Sequence, residues 1–538
     1  MTSPPPGRAP RRSATLLVAA LLAAGACAVD AGVTRTASEP SETAAAEQPS
    51  TTEVPDARDA PDDPELTPST TGPGTVASGP DVSAFQPAPF EWESFREGVE
   101  VATLEVPIDY ADPDGGTIEL FVARRAATDP SSRIGSLLVN PGGPGFGGSS
   151  FAIFGDQIYD TELLRHFDII GWDPRGTGES EPAIDCIDDW DDYVAALDVS
   201  DDLEADNLAL AQQFAAECER RNADIIQFVG TNNSARDIDT IRRALGEDTI
   251  SYFGFSYGSE LGATWATLFP DTVRAAVLDG ASDPEADRLE SSLQQIAGFE
   301  ATLTTFLDRC SAEPSCAFHN DGDAAAAFDR LMTDLEDSPI PSRSGRPDVG
   351  RGVATIGVVQ AMYSDSFWPQ LERALADAAE GRGAGLLSLY DSYYQRQNDG
   401  SYGDELEAFQ VISCADREDR PAIEQVRAET LRFAEVAPRL VPADAEPGFF
   451  CTFMPPALDP RVIITGTGAG PIVVIGTTGD PATPFESTRA MAATLDDGRF
   501  VIVEADQHTG YGVNRCVVEV VNRYLVDLEP PDDGVVCD

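Results

Sequence analysis

The feature that most constrains the fold is a glycine-flanked serine at the junction of two patterns. Thr249 to Phe255 reads as a buried strand, and the chain passes at once into Gly254-Phe255-Ser256-Tyr257-Gly258. An apolar helical pattern from Glu260 to Phe269 follows. A strand that turns sharply into a helix, with glycines either side of the turning residue, strains and exposes that residue's side chain. At ordinary Gly and Ser frequencies about 0.2 chance matches to Gly-x-Ser-x-Gly arise in a chain this long. The pattern gains its weight from the strand before it and the helix after it.

The same rhythm recurs along the chain. Strand-length apolar runs occur at Thr117 to Arg124, Ser136 to Asn140, Phe167 to Trp172, Arg274 to Leu278, Ile472 to Ile475 and Phe500 to Val503. Each is bounded by Gly, Pro or Asp, and helical patterns at Asp201 to Arg221 and Ser234 to Leu245 intervene. Alternating strand and helix predicts an α/β fold, a mainly parallel sheet with helices on both faces. Between Asp279 and Gly470 the rhythm breaks. Helical patterns at Asp287 to Cys310, Asp323 to Leu335, Ile356 to Glu380 and Ile423 to Val436 predict a helical insert.

The first 84 residues have a different character. Arg8, Arg11 and Arg12 precede a short apolar run from Leu16 to Ala24, and Ala24-Gly25-Ala26-Cys27 follows. This order reads as an export signal ending in a lipoprotein-like box, with Cys27 as the candidate lipidated residue. Residues 28–84 carry no aromatic residue and are rich in Pro, Ser, Thr and acid. Such a segment cannot bury enough apolar surface to order itself, and reads as a disordered tether.

Cysteine usage agrees with export. Beyond Cys27 there are eight, an even number, and disulfides are expected in an exported chain. Nearest-neighbour pairing gives 186–218, 310–316, 414–451 and 516–537. The 92 acidic residues outweigh 36 basic ones, all arginine, for a net charge of −56. Such a surface repels phosphate backbones and argues against a nucleic-acid partner. No cysteine pair has metal-ligand spacing and there are three histidines, so neither a metal nor another cofactor is expected.

A serine nucleophile needs a base, and the base needs an orienting acid. The histidines are His166, His319 and His508. On a strand-turn-helix scaffold of this kind the order is serine, acid, histidine. His166 precedes the serine and His319 falls in the insert, which leaves His508. Asp480, in Gly479-Asp480-Pro481-Ala482-Thr483-Pro484 after the Ile472 strand, is the candidate acid. Asp279 is the alternative. An oxyanion needs two N–H donors. Tyr257 offers one, and the loop Asn140-Pro141-Gly142-Gly143-Pro144-Gly145 is placed to offer the other.

Together the glycine loop, Asp173-Pro174-Arg175-Gly176-Thr177-Gly178, the pentad, Asp480 to Pro484 and His508 resemble the actinobacterial tripeptidyl aminopeptidases. These are relatives of the prolyl aminopeptidases in the α/β-hydrolase superfamily. The resemblance runs from Phe90 to Cys537. It implies an α/β-hydrolase fold with a helical cap between that fold's sixth and seventh strands. The core would then fall at 85–285 and 466–538 and the cap at 286–465, after a signal at 1–27. It further implies Ser256, Asp480 and His508 as a triad, and Gly143 with Tyr257 as oxyanion donors. The substrates implied are peptides with free N-termini, whose amine would need an acid; Glu179, Asp416 and Glu418 are the candidates. One departure stands out: the family usually has glycine just before the histidine, where this chain has Gln507. Two other readings compete, an esterase on the same scaffold and a non-catalytic peptide-binding lipoprotein.

Overall fold

Alternation of burial sets the architecture. In the strand β4 (Gly135–Asn140), Leu138 packs into one apolar cluster while Leu137 and Val139 pack into another. The strands β5 (Phe167–Trp172), β6 (Ile250–Phe255) and β7 (Val273–Asp279) divide their side chains between the same two clusters. A strand buried on both faces must sit in a sheet covered on both sides, and each such Leu, Ile or Val contributes about 1.5–3 kcal/mol. The structure, a computed structural model, describes residues 80, 82–188, 203–443, 445 and 447–538. The signal at 1–27, Cys27 included, lies outside the described residues, as does nearly all of 28–84.

Among the described residues, ten strands form one sheet. The strands β1 (Glu93–Arg96), β2 (Val99–Pro107) and β3 (Thr117–Arg125) make an antiparallel edge, and β3 pairs antiparallel with β5. From β5 onward, with β8 (Ile472–Thr477), β9 (Gly498–Val503) and β10 (Val535–Cys537), every pairing is parallel. The order is β1-β2-β3-β5-β4-β6-β7-β8-β9-β10. The expected parallel α/β sheet is therefore present, with β1, β2 and β10 added to the strands read from sequence. In β2 the burial alternates only in its second half, which weakens the period-2 signal.

The helical insert lies between β7 and β8 and has its own core, built around Leu303, Phe306, Phe328, Leu371, Leu375 and Leu386. One expectation is corrected here. The pattern from Ile356 to Glu380 is two helices, Arg351–Met362 and Trp368–Ala379. Pro369 stands in the first turn of the second. Proline has no N–H to donate and clashes with the carbonyl four residues back, so one continuous helix cannot run through it. Between the two helices the chain leaves the first at Tyr363, is extended at Ser364 and resumes as a 3-10 turn at Asp365–Phe367.

Four disulfides join Cys186 to Cys218, Cys310 to Cys316, Cys414 to Cys451 and Cys516 to Cys537, the nearest-neighbour pairing.

Candidate active site

The site forms where β4, β6, β7, β8 and β9 end. Ser256 falls between β6 and the helix Tyr257–Leu268, at φ 55° and ψ −128°. A positive φ is rare for a residue with a side chain and costs of order 1–3 kcal/mol. Its N–H donates to the Asp279 carbonyl at 2.8 Å, which ties the turn to the end of β7. The flanking glycines are sterically required. A Cβ on Gly254 would stand 2.1 Å from the Gly258 carbonyl oxygen, and one on Gly258 would stand 2.7 Å from that of Asn140.

The glycine loop after β4 lies directly against this turn. A Cβ on Gly142 would meet Ser256 Cβ at 2.7 Å and the Tyr257 nitrogen at 3.1 Å. Asn140 Oδ1 accepts from Gly142 N–H at 2.9 Å and shapes the loop. Tyr257 is the first residue of its helix, so its N–H has no carbonyl within the helix to bond. Gly143 is the next residue of the same loop. The segment that follows the loop is fastened by buried Asp173, whose carboxylate accepts from Ser149 N–H at 2.8 Å and from Glu179 N–H at 2.9 Å. Burial pushes the Asp173 carboxyl above its ordinary range. Arg175, also buried, pairs with Asp237 at 2.7 Å and donates to the Pro107, Ile108 and Phe228 carbonyls. The Asp-Pro-Arg-Gly run is thus a structural anchor for the β5 loop.

Asp480 and His508 come together from the ends of β8 and β9. Both Asp480 oxygens lie 2.9 Å from His508 Nδ1. The same carboxylate accepts from the N–H groups of Ala482, Thr483 and Thr509 and from the Thr483 hydroxyl at 3.1 Å. Thr483 Oγ1 also lies 3.3 Å from His508 Nδ1. Sequence reading missed Thr483, although its place three residues after an Asx-Pro turn is a local signal for a hydroxyl turning back on the carboxylate. His508 Nε2 is buried and has no hydrogen-bond partner among the described residues. The imidazole packs over Gly280, the residue after Asp279: a Cβ there would meet His508 Cε1 at 3.2 Å. An imidazole oriented at Nδ1 by a carboxylate and free at Nε2 can accept a proton from a hydroxyl.

Asp279, the alternative acid, faces elsewhere. Its carboxylate accepts from the N–H groups of Gly510 and Tyr511, both at 2.7 Å. Burial pushes its pKa up to about 7, against those two bonds.

The three candidate amine holders are not gathered at one point. Asp416 is buried, and its two oxygens accept from the Thr231 N–H and hydroxyl, each at 2.6 Å. Burial, followed by the charge of Glu260, raises it to about 6. Thr231 in turn meets the Tyr257 hydroxyl at 2.5 Å. Glu418 and Glu179 are exposed, and the Glu179 N–H donates to Asp173. Sequence reading also missed Glu260, one helical turn after the serine, which is buried and pairs with half-buried Arg461.

Comparisons with known proteins identify the family. Residues 135–514 match the family model for the alpha/beta hydrolase fold. The serine protease Hip1 of Mycobacterium tuberculosis is 34% identical over 84% of this chain and 91% of its own length. Carboxylesterase B of Mycobacterium tuberculosis is 33% identical over 87% of this chain and 92% of its own. Tripeptidyl aminopeptidase of Streptomyces lividans is 28% identical over 84% of this chain and 87% of its own. With its sheet, its insert and these relatives, the chain belongs to the α/β-hydrolase family, as a serine hydrolase of its actinobacterial peptidase-like branch.

Proposed function

We propose that this protein is an exported serine aminopeptidase that releases short peptides, tripeptides among them, from free N-termini. The observation that carries the reading is the state of His508, held at Nδ1 by both oxygens of Asp480 and unpartnered at Nε2. Ser256 Oγ attacks the scissile carbonyl and passes its proton to His508 Nε2. The carbonyl oxygen becomes an oxyanion, which the N–H groups of Gly143 and Tyr257 receive. His508 then protonates the leaving amine, the C–N bond breaks and an acyl-enzyme remains. Water, deprotonated by His508, attacks that ester, the C–O bond to Ser256 breaks, and the serine recovers its proton. Asp480 stays ionised and stabilises the imidazolium throughout. The chemistry needs no cofactor.

For the substrate's amine we favour Glu179 among the three acids. It is exposed, and its N–H is tied to Asp173, which also holds Ser149 downstream of the glycine loop, whereas both Asp416 oxygens are already engaged by Thr231. Export is supported by the amino-terminal pattern and by four disulfides, which persist outside the reducing cytoplasm. Lipidation of Cys27 would hold the enzyme at the outer face of the cytoplasmic membrane, on the 28–84 tether.

A second reading, an acyl-ester hydrolase, is favoured by the relative named Carboxylesterase B. One set of assays separates the two. A fluorophosphonate probe should label the wild type and not Ser256→Ala. Tripeptide anilides with free amines should be cleaved faster than their acetylated forms and than short acyl esters. Ester cleavage without anilide cleavage overturns the peptidase reading, and equal labelling of Ser256→Ala overturns the nucleophile.

A further inference from the structure

The helix break at Pro369 has a consequence for the base. The turn that it creates in the insert reaches the loop that carries His508. The His508 N–H donates to the Tyr363 carbonyl at 2.8 Å, and the Asp365 N–H donates to the Asp506 carbonyl at 3.2 Å. Between these two bonds Ser364 and Gln507 face one another as an antiparallel pair. The Tyr363 ring stands edge-on to the imidazole at 5.7 Å and packs on Phe299 of the insert at 5.3 Å. A two-residue ladder thus runs between the insert and the main chain of the candidate base itself.

The histidine loop needs such support. Thr509, the next residue, has φ 68°, a conformation that a side chain disfavours. Gln507 braces it, its Nε2 donating to the Thr509 carbonyl at 3.1 Å. A glycine at position 507 could not make that bond, so the residue that departs from the family pattern takes part in holding the loop. The acid loop is held from the same side. A Cβ on Gly298 of the insert would stand 2.5 Å from the Pro481 carbonyl oxygen, and Gln295 Nε2 donates to the Ala482 carbonyl at 3.1 Å.

We propose that the Tyr363-Ser364-Asp365 turn is a positioning element for His508, and that the insert stays docked on the histidine loop through the chemical step. The proposal rests on the triad reading above. Proton transfer requires Nε2 to stand within hydrogen-bond reach of the serine hydroxyl, and a displacement of about 1 Å costs up to about a hundredfold in rate. The main chain of His508 is bonded to the insert, so lifting the insert at this edge would move the base. Substrate entry must then use another edge of the insert.

The test removes one ladder bond in the full-length protein. Asp365 is the first residue of a 3-10 turn and Ser364 before it is extended, at φ −157° and ψ 139°, so proline fits at 365. Asp365→Pro deletes the N–H, and Asp365→Ala deletes the carboxyl alone. The readout is the rate constant for fluorophosphonate labelling of Ser256, with melting temperature measured alongside. We expect Asp365→Pro to label about tenfold more slowly than Asp365→Ala at a similar melting temperature. Equal rates in the two variants overturn the proposal. Should Asp365→Pro fold poorly, Ser364→Cys and Gln507→Cys added to it place two thiols across a close, non-hydrogen-bonded pair, where a disulfide can replace the ladder. Oxidation is then expected to restore at least half of the rate lost relative to the Ser364→Cys, Gln507→Cys protein that keeps Asp365, which lacks the Gln507 brace equally. A folded, oxidised protein with no recovery overturns the proposal. A wild type that takes no label at all overturns the triad reading instead, which keeps the two failures distinct.

Discussion

Two neighbouring strands, β7 and β8, each bring a buried aspartate to one site, at the last residue of β7 and three residues beyond β8. Asp279 and Asp480 are 0% and 4% exposed, yet their surroundings assign them different work. Asp480 has five donors, among them an imidazole that can carry the compensating positive charge. Asp279 has two backbone N–H groups and, among the described residues, no ion-pair partner, and burial pushes it up to about 7 although the nearby charge of His508 pulls the other way. The lesson is that depth does not make a catalytic carboxylate. What matters is whether a partner can balance the charge when it forms.

The comparison is broken most severely at Asp480. Asp480→Asn keeps the shape and removes the charge. It also presents an amide N–H₂ where Nδ1 must donate, which favours the wrong tautomer. We expect kcat/KM to fall by about 10³- to 10⁴-fold, measured on a tripeptide anilide, with the fold unchanged by circular dichroism. A loss below tenfold would transfer the role of acid to Asp279.

Thr483 sharpens the same comparison, because β7 has no counterpart to it. Its hydroxyl donates to Asp480 Oδ2 and lies near His508 Nδ1, so it fixes the carboxylate's rotation as well as its charge. Thr483→Val keeps the volume and loses that bond. A drop in kcat of about tenfold is expected, the size of one hydrogen bond to a charged group, with KM little changed. Thr483→Ser should recover most of it. Equal activity in the Val and Ser forms would show that only the backbone N–H of Thr483 matters.

These contrasts also explain what the sequence made legible. The serine end of the site is local: β6, Gly254, Ser256, Gly258 and the following helix are contiguous, and a few residues encode the strained turn. His508 was legible through scarcity, since only three histidines occur in the chain. The acid end was harder, because Asp279 and Asp480 both follow strands and differ only in contacts from distant residues. Periodicity read the insert as helical but took Ile356 to Glu380 as one element. Pro369 marked the break, and the residues it frees are those that reach His508. The ladder partners, Ser364 and Gln507, are 143 positions apart, and nothing local in either segment announces the pairing. Asp416 shows the opposite failure. The family resemblance offered it as an acid for the substrate's amine, whereas the fold uses it to hold Thr231 at the start of another helix.

The smallest effect on activity, and the most informative on stability, is expected at Asp279. Its folded pKa of about 7 lies above the ordinary carboxylate value. Protonation is therefore favoured by folding, so the contribution is fully present below about pH 4 and is lost as pH rises through about 7. At about 1.4 kcal/mol per unit, the loss amounts to at most about 4 kcal/mol. Glu407, pushed by burial to about 8, and Asp416, at about 6, act with the same sign. The wild type should accordingly melt at a higher temperature at pH 5 than at pH 8. Asp279→Asn mimics the protonated form and cannot ionise, while Glu407 and Asp416 titrate in both proteins. The gap in melting temperature between wild type and Asp279→Asn should therefore close, or reverse in favour of the variant, between pH 5 and pH 8. Scanning calorimetry at the two pH values measures this. A gap that widens toward pH 8 would mean that the ionised carboxylate is the form the Gly510 and Tyr511 N–H groups were built to hold, and would make Asp279 a second charged acid of the site. Activity of the variant should stay within about tenfold of wild type, because the Asp279 carboxylate hydrogen-bonds main chain beyond His508 and not the imidazole.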